Sequence, residues 1–547
     1  MSALKIAVNA SRLIQNIGSV FSGNHKVLSE LLQNARRAGA TKIIVKELDD
    51  HTLIISDNGC GISDMQKLLT LAESGWDEAT QESEGAYGMG FFSALFSAQK
   101  VVVKSRGKQI TIHSDGSLLD QEIALEDADI NEGTVVELHG HTIPNICGAI
   151  YDICRGFSVE VAYQAVDSEE SLVIPMPDQL DTNVFVDFAC GEIRLSMDNV
   201  GWNAYLQGFK VASSGPYSDH SRSIIHLDSA SFRARMPDRD QLINKEVEHE
   251  RINDAVKQMQ RQKLEAIKTA NQTDVFAYKA LIVEQGFLEI FNDIPVLPCA
   301  YLEVFSNAPE KYQDSFQGTQ THSYKAKGDE LFISDDEVQD GFYLACEPSE
   351  DNEANPYAIA LQMAVYRKSI PFLATPLDKN HWFYGLCKEA PDMGDLDENQ
   401  SFISVEYTAN KTGKWWGATI SLVDHYTIKI PSWGLEVVVN NDPLAIGCDE
   451  NGVDCAQSGF IIPSKDYGAD VLKQVQTWHL NDYDADERGR DDDIASLDGV
   501  LAVLYGNNAA DVLQNLLCNC DRAILNALAN QQFTVSVSEN GAVAVTV

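Results

Sequence analysis

The chain lacks any run of about eighteen apolar residues, so no segment of it reads as a transmembrane helix. Its first residues, Met-Ser-Ala-Leu-Lys-Ile-Ala-Val-Asn-Ala-Ser-Arg, break their apolar stretch too early for a secretory signal. It has no C-x-x-C pair. Its eleven cysteines are an odd, scattered set in which only Cys518 and Cys520 are close. That usage suits reduced thiols in a cytoplasmic protein rather than a disulfide framework. Internal repeats and low-complexity tracts are also missing. Positive charge is scarce, with 41 Lys and Arg against 81 Asp and Glu and a net charge of −40. Residues 275–547 carry most of the imbalance, 16 basic against 42 acidic, a net of −26. Such a surface repels nucleic-acid backbone and anionic membrane, which makes nucleic acid and membrane poor partners. It either keeps the chain soluble, receives a basic partner or mimics a nucleic acid.

What is present begins with length. A chain of 547 residues is too long for one hydrophobic core, and domain-size statistics suggest three or four domains. The most informative stretch is Glu84 to Ala98, Glu-Gly-Ala-Tyr-Gly-Met-Gly-Phe-Phe-Ser-Ala-Leu-Phe-Ser-Ala. Gly85, Gly88 and Gly90 run into apolar residues at 91, 92, 95 and 96, the spacing of one helix face. Glycine permits positive φ and close approach, and a helix start presents free N–H groups. Together they form an anion cradle, although the same glycine spacing occurs in turns that bind nothing.

Before this stretch, a helix is expected from about Asn24, with Val27, Leu28, Leu31, Leu32 and Ala35 as its apolar stripe and Gly39 as its stop. Glu30 and Asn34 are four apart and share a face beside that stripe. A strand at 42–46 and another at 52–56 follow, and the second ends in Asp57-Asn58-Gly59-Cys60-Gly61. An aspartate there stands at the mouth of a pocket. The polar run at 74–84 reads as a surface loop or as a cover over the site. After the glycine stretch come strands at 101–105 and 109–113, joined at Gly107, and a further strand from Gly133-Thr134 to His139.

Glu-x-x-x-Asn on a helix, Asp-x-Gly-x-Gly after a strand, Gly-x-x-Gly-x-Gly before a helix and a later Gly-Thr strand occur in that order. They resemble the four ATP-site motifs of the GHKL superfamily: gyrase, heat-shock chaperone, histidine kinase and MutL. Phe21 to Ala35 and Gly85 to Ala94 are most similar to the ninety-kilodalton heat-shock chaperones, while Ala38-Gly-Ala-Thr41 looks more like MutL. The resemblance covers about residues 4–140. It implies a Bergerat-type α/β sandwich, a mixed sheet backed by helices, that binds ATP with Mg²⁺. Glu30 would be the general base that orients water, and Asn34 the Mg²⁺ ligand. Asp57 would accept the adenine amino group with Thr134 in support, Gly59 and Gly61 would leave room for the adenine, and Gly85, Gly88 and Gly90 would wrap the phosphates. The chemistry is consistent, since phosphoryl transfer asks mainly for positioning and charge neutralisation. The chain departs from the chaperones at Arg37, where they usually carry an acid, and at Ser29, where they carry an arginine.

The expected organisation is an ATP-binding domain at 1–145, a smaller α/β middle domain at 146–274 ending in a long charged helix, a strand-rich acidic α+β region at 275–465, and an α+β segment at 466–547. In this superfamily the second domain often supplies a basic residue to the γ-phosphate. Asp238-Arg239-Asp240 is similar to the chaperone segment that does so, which makes Arg239 the candidate and Arg235 the reserve. The other reading pairs Arg239 with its flanking aspartates. Aromatic clusters at 381–384 and 415–416 are buried core or a contact surface. The acidic run 482–493 lacks the glycine of a calcium loop and reads as solvated loop. A helix at 509–530 and a strand pair at 533–537 and 542–547 close the chain. The functional expectation is an ATP-hydrolysing conformational switch, chaperone-like, acting on a protein client and forming a homodimer by exchange of the strand at 4–8. The alternatives are a MutL- or MORC-like clamp on nucleic acid and a non-hydrolysing ATP-bound scaffold.

Overall fold

The computed structural model describes residues 25–71, 73, 75–84, 88, 90–114, 122–214, 221–235, 240–308, 320–326, 328, 330–348, 356–389, 402–415, 418–446, 459–465, 487–518 and 522–546. The expected strand at 4–8, Gly85 and Arg239 lie outside the described residues.

Helix α1 (Lys26–Arg37) forms where the apolar spacing requires it, and Val27, Leu28, Leu31, Leu32 and Ala35 are all buried. Its end is set by Gly39, whose φ of +74° is a left-handed conformation. The Ala40 N–H reaches back to the Ala35 carbonyl and the Gly39 N–H to that of Arg36. These two bonds satisfy carbonyls that the helix end leaves open, the arrangement of a Schellman cap.

The chain then lays down β1 (Lys42–Asp49), β2 (Thr52–Asp57), short helices α2 (Met65–Leu69), α3 (Glu78–Glu84) and α4 (Phe92–Ser97), and strands β3 (Lys100–Ser105), β4 (Lys108–His113), β5 (Glu126–Asp127) and β6 (Thr134–His139). Helix α5 (Ile146–Ile153) leads to β7 (Glu160–Gln164) and β8 (Leu172–Val173). These eight strands form one sheet in the order β5-β4-β3-β6-β2-β1-β7-β8. The β1–β7 pair is parallel, whereas β1–β2, β2–β6, β3–β6 and β3–β4 are antiparallel, so the sheet is mixed. Helices cover it, and α1, α4 and α5 share its core with Val45, Leu53, Val101, Val103 and Leu138. This is the Bergerat-type sandwich expected from the motif order. Arg106 and Gly107 (φ +47° and +74°) make the tight β3–β4 turn, both left-handed as a two-residue hairpin of this hand requires. The sheet and its core run on to Val173 and Ile174, past residue 145.

A second sheet follows, with β9 (Val186–Phe188), β10 (Gly191–Arg194), β11 (Trp202–Leu206), β12 (Phe209–Ser213) and β13 (Ser223–Leu227) in the order β12-β11-β13-β10-β9. Helix α6 (Lys245–Ala270) is the long charged helix. It buries Ile252, Val256 and Leu264, and its Asn253 accepts from the Trp202 indole at 2.6 Å. All of this belongs to one compact unit, residues 1–287.

Residues 288–547 form the other unit. Its largest sheet is built on the strands Ser404–Trp415 and Ala418–Ile430, with helix Pro356–Lys368 packed in the same core. The aromatic segment at 381–384 is core, not contact surface: Phe383 and His381 are buried and the Trp382 indole donates to the Ile294 carbonyl. Trp415 is buried beside Phe460 as well. Part of the acidic run read as loop is helical, because helix Glu487–Tyr505 begins within it and seats Leu497 and Leu501 in the Trp415 core. The single helix expected at 509–530 is described as two, Ala509–Cys518 and Arg522–Leu528. The closing strands, Thr534–Val537 and Val543–Thr546, pair as expected. Among the described residues, no helix is long and apolar enough to cross a membrane.

Candidate functional site

The site is built on α1 and the ends of three neighbouring strands. Glu30 and Asn34 project from α1, Asp57 ends β2, and Thr134 begins β6 directly opposite it in the antiparallel register. These four side chains, with Gly61, Gly88 and Gly90, line one cavity of about 430 Å³. Its other walls include Ile55, Val103 and Val136 from the sheet, Glu73, and Gly75, Trp76 and Asp77 from the polar run. A half-apolar cavity of this size with a few convergent polar groups has the form of a small-molecule site. The polar run is thus a wall of the cavity, and α3 forms its last seven residues.

At the sheet end of the cavity, Asp57 accepts the Gly59 N–H at 2.8 Å. Burial raises its carboxyl above the ordinary range, opposed by the N–H groups of Gly59 and Thr134. Ser105, fully buried at the end of β3, organises the same corner. Its hydroxyl accepts from the Ile62 N–H at 2.9 Å, donates to the Gly133 carbonyl at 2.6 Å and lies 3.4 Å from the Thr134 hydroxyl. Sequence reasoning passed over it, because a serine closing an apolar strand before an Arg-Gly turn carries no chemical signature of its own.

The glycines divide by what their missing side chains admit. Gly61 has φ +71°, and a Cβ there would stand 2.7 Å from Ser105 Oγ. Gly59 does not line the cavity: a Cβ would meet Ala38 Cβ at 2.7 Å and the Ala38 carbonyl at 2.8 Å, so this glycine lets β2 approach the end of α1. At Gly88 (φ +69°) a Cβ would fall 2.1 Å from the Glu73 carbonyl oxygen. At Gly90 it would fall 2.0 Å from Glu30 Oε2. Gly88 therefore lies against Glu73, just before the polar run, and Gly90 against the Glu30 carboxylate. Helix α4, which follows the glycine loop, has six residues.

Arg37, a departure from the chaperone pattern, has a partner that accounts for it. Its Nε donates to Glu84 Oε2 at 2.7 Å, and Arg36 Nη2 donates to the same oxygen at 2.5 Å. Burial alone would raise the Glu84 carboxyl, but the two guanidinium groups outweigh it and hold the carboxyl below its ordinary range. Arg235 lies 3.9 Å from Asp240, both exposed.

Residues 22–134 match the family model described as Histidine kinase-, DNA gyrase B-, and HSP90-like ATPase. The N-terminal domain is a GHKL ATPase-family domain. The matched interval holds every candidate at the cavity, from Glu30 to Thr134, within that family's domain. Among curated proteins, a DNA topoisomerase 4 subunit of Rickettsia typhi (strain ATCC VR-144 / Wilmington) is 26% identical over 215 residues. The match covers 34% of this chain and 32% of that protein, about a third of the relative's length. That relative belongs to a topoisomerase and is not one of the chaperones to which the GHKL motifs looked most similar.

Proposed function

We propose that this chain is an ATP-driven conformational switch whose nucleotide site is the cavity between α1 and the sheet. The observation that carries the reading is the convergence of Glu30, Asn34, Asp57, Gly61, Gly88, Gly90 and Thr134 on one cavity. The donor set fits a nucleotide. Asp57 offers a half-buried acceptor for the adenine amino group, with the buried Thr134 and Ser105 beside it. Gly88 and Gly90 line the same cavity, and the phosphates would lie against them. Among the described residues no three His, Cys, Asp or Glu side chains are placed to hold a metal ion. Mg²⁺ would accordingly rest on the Asn34 carboxamide oxygen, the phosphates and water, the mostly hydrated oxygen set that this cation prefers. When bound it would neutralise phosphate charge.

Glu30 then has a defined task. It orients a water toward the γ-phosphorus and takes its proton as the new P–O bond forms and the bond to the bridging oxygen breaks, leaving ADP and inorganic phosphate. A general base of this kind contributes on the order of 10²–10⁴-fold. Arg239 supplies further positive charge, and a homodimer closes around the bound nucleotide. The partner is a protein, with basic character favoured by the −40 charge. ATP binding and phosphate release test the reading: Glu30→Gln should bind ATP and release phosphate at least about a hundredfold more slowly. A wild-type chain that binds no ATP at millimolar concentration ends it.

A second reading is a nucleic-acid clamp, favoured by the topoisomerase relative. The net charge opposes it, since contacts to phosphates need clustered Lys and Arg. DNA binding that weakens steeply with salt would select this reading over a protein partner.

A further inference from the structure

Three segments meet at one side chain beside the cavity. Gln33 lies one helical turn from Glu30 on α1 and is buried. Its amide nitrogen donates to Gln207 Oε1 at 2.8 Å and reaches Glu84 Oε2 at 3.4 Å. Gln207 is the apex of the β11–β12 hairpin, left-handed at φ +56° beside Gly208 at +86°. Glu84 is the last residue of α3, and so of the cover segment that walls the cavity.

Glu84 is bound more tightly than a surface ion pair. One carboxylate oxygen takes Arg36 and Arg37 together, and Arg37 Nη2 also donates to the Glu84 backbone carbonyl at 3.3 Å. The Arg37 side chain is 2% exposed and that of Glu84 16%, so solvent screens the pair little. The bonds go to both the side chain and the backbone of residue 84. They fix where the cover segment ends.

We propose that Glu84 is the positioning residue that latches the cover segment onto α1, and that Gln33 couples the latch to the hairpin of the second sheet. An amide NH₂ has two donors, so Gln33 serves both partners only while both stand where they are. Withdrawal of Glu84 removes one acceptor from the amide and changes its bond to Gln207. The same hairpin carries Lys210, which with Glu30, Gln33, Lys26 and Asp152 lines a second cavity of about 290 Å³. A shift of the cover is thereby felt on the second sheet, and by reciprocity a shift of the hairpin is felt at the cover. The geometric part of this proposal stands alone; its consequence for turnover rests on the nucleotide reading above.

Amide hydrogen exchange on the full chain without nucleotide tests it. Glu84→Gln should speed exchange at residues 76–84 and at 205–211 about tenfold, the change that about 1.4 kcal/mol produces. Gln33→Met keeps the volume and removes both bonds, and should speed exchange at 205–211 while leaving the Arg–Glu84 contact in place. The pair Arg37→Glu with Glu84→Arg should restore protection at 76–84. Unchanged exchange at 205–211 in both Glu84→Gln and Gln33→Met overturns the coupling. Unchanged exchange at 76–84 in Glu84→Gln overturns the latch. Because these readings need no ATP, a failure of the latch is distinguishable from a failure to bind nucleotide. If ATP binds, Glu84→Gln should also release it several-fold faster, and a wild-type release rate in that variant overturns the consequence for turnover.

Discussion

The Glu30 carboxylate lies against the backbone of Gly90 so closely that a Cβ at position 90 would stand 2.0 Å from Oε2 and 2.8 Å from Cδ. The contact ties the first motif to the third. It also predicts an unusual variant, because what would have to move is the far end of a side chain rather than backbone. Gly90→Ala should fold, bind ATP and displace the Glu30 carboxylate. Phosphate release should fall on the order of a hundredfold, approaching the loss from removing the base itself. Calorimetric binding alongside single-turnover hydrolysis would check it, and normal hydrolysis would mean that Gly90 leaves Glu30 room to spare.

Gly133 makes the opposite case. Its φ is +72°, and a Cβ would fall 1.9 Å from the Asp57 carbonyl oxygen and 2.9 Å from the carbonyl carbon. The obstacle is the backbone of β2, which the sheet holds, so nothing can give cheaply. The left-handed conformation alone costs a non-glycine residue about 1–2 kcal/mol. Gly133→Ala should therefore lose more than about 2 kcal/mol in denaturant unfolding. A loss smaller than that of Gly90→Ala would contradict the contrast drawn between the two glycines.

Much of the site was legible because its parts are local in sequence. Glu30 and Asn34 follow from a helix stripe, Asp57 from a strand end, and the glycines from their spacing. What the missing side chains make room for was not legible. Gly59 faces Ala38, Gly88 faces Glu73 and Gly90 faces Glu30, contacts made by folding segments far apart in the chain. Arg37 read as a departure from a pattern, and its reason, Glu84, lies 47 residues away. The helix at Glu487–Tyr505 was missed because its first turns are acidic and look solvated. Leu497 and Leu501, packed on Trp415 and Phe460, supply the apolar contact that such a helix needs.

Asp57 yields a prediction in pH. Burial raises its carboxyl in the folded chain, with the Gly59 and Thr134 N–H groups opposing. A raised carboxyl favours folding most below the ordinary aspartate value of about 3.9, and that contribution is lost as pH rises through the folded value. At neutral pH the ionised group thus costs stability in the nucleotide-free chain. Asp57→Asn keeps an oxygen for the Gly59 N–H and removes the charge. It should unfold at the same or a higher temperature than wild type at pH 7, with the difference shrinking toward pH 4. Its ATP affinity should fall by about 1.5–3 kcal/mol, the worth of a hydrogen bond to a charged group. Thermal scans across pH test the first part, and a variant less stable than wild type at pH 7 would refute it.

Ser105 tests whether the corner beside Asp57 acts as a unit. Ser105→Ala removes a hydroxyl that accepts from Ile62 and donates to Gly133, leaving an N–H and a carbonyl in a buried place. Groups stranded in this way cost about 1–3 kcal/mol each, less whatever water recovers by entering the vacated volume. The strands beside it should hold, because β3 and β6 remain paired from Lys100 to Ser105. The loss should therefore appear twice. Global unfolding should require less denaturant, and ATP affinity should drop because Gly61 and Thr134, which the hydroxyl holds in register, both face the cavity. Ser105→Thr keeps the hydroxyl and should recover affinity as far as its extra methyl can be packed. If Ser105→Ala loses stability and keeps full affinity for ATP, the serine braces the sheet and has no part in shaping the site.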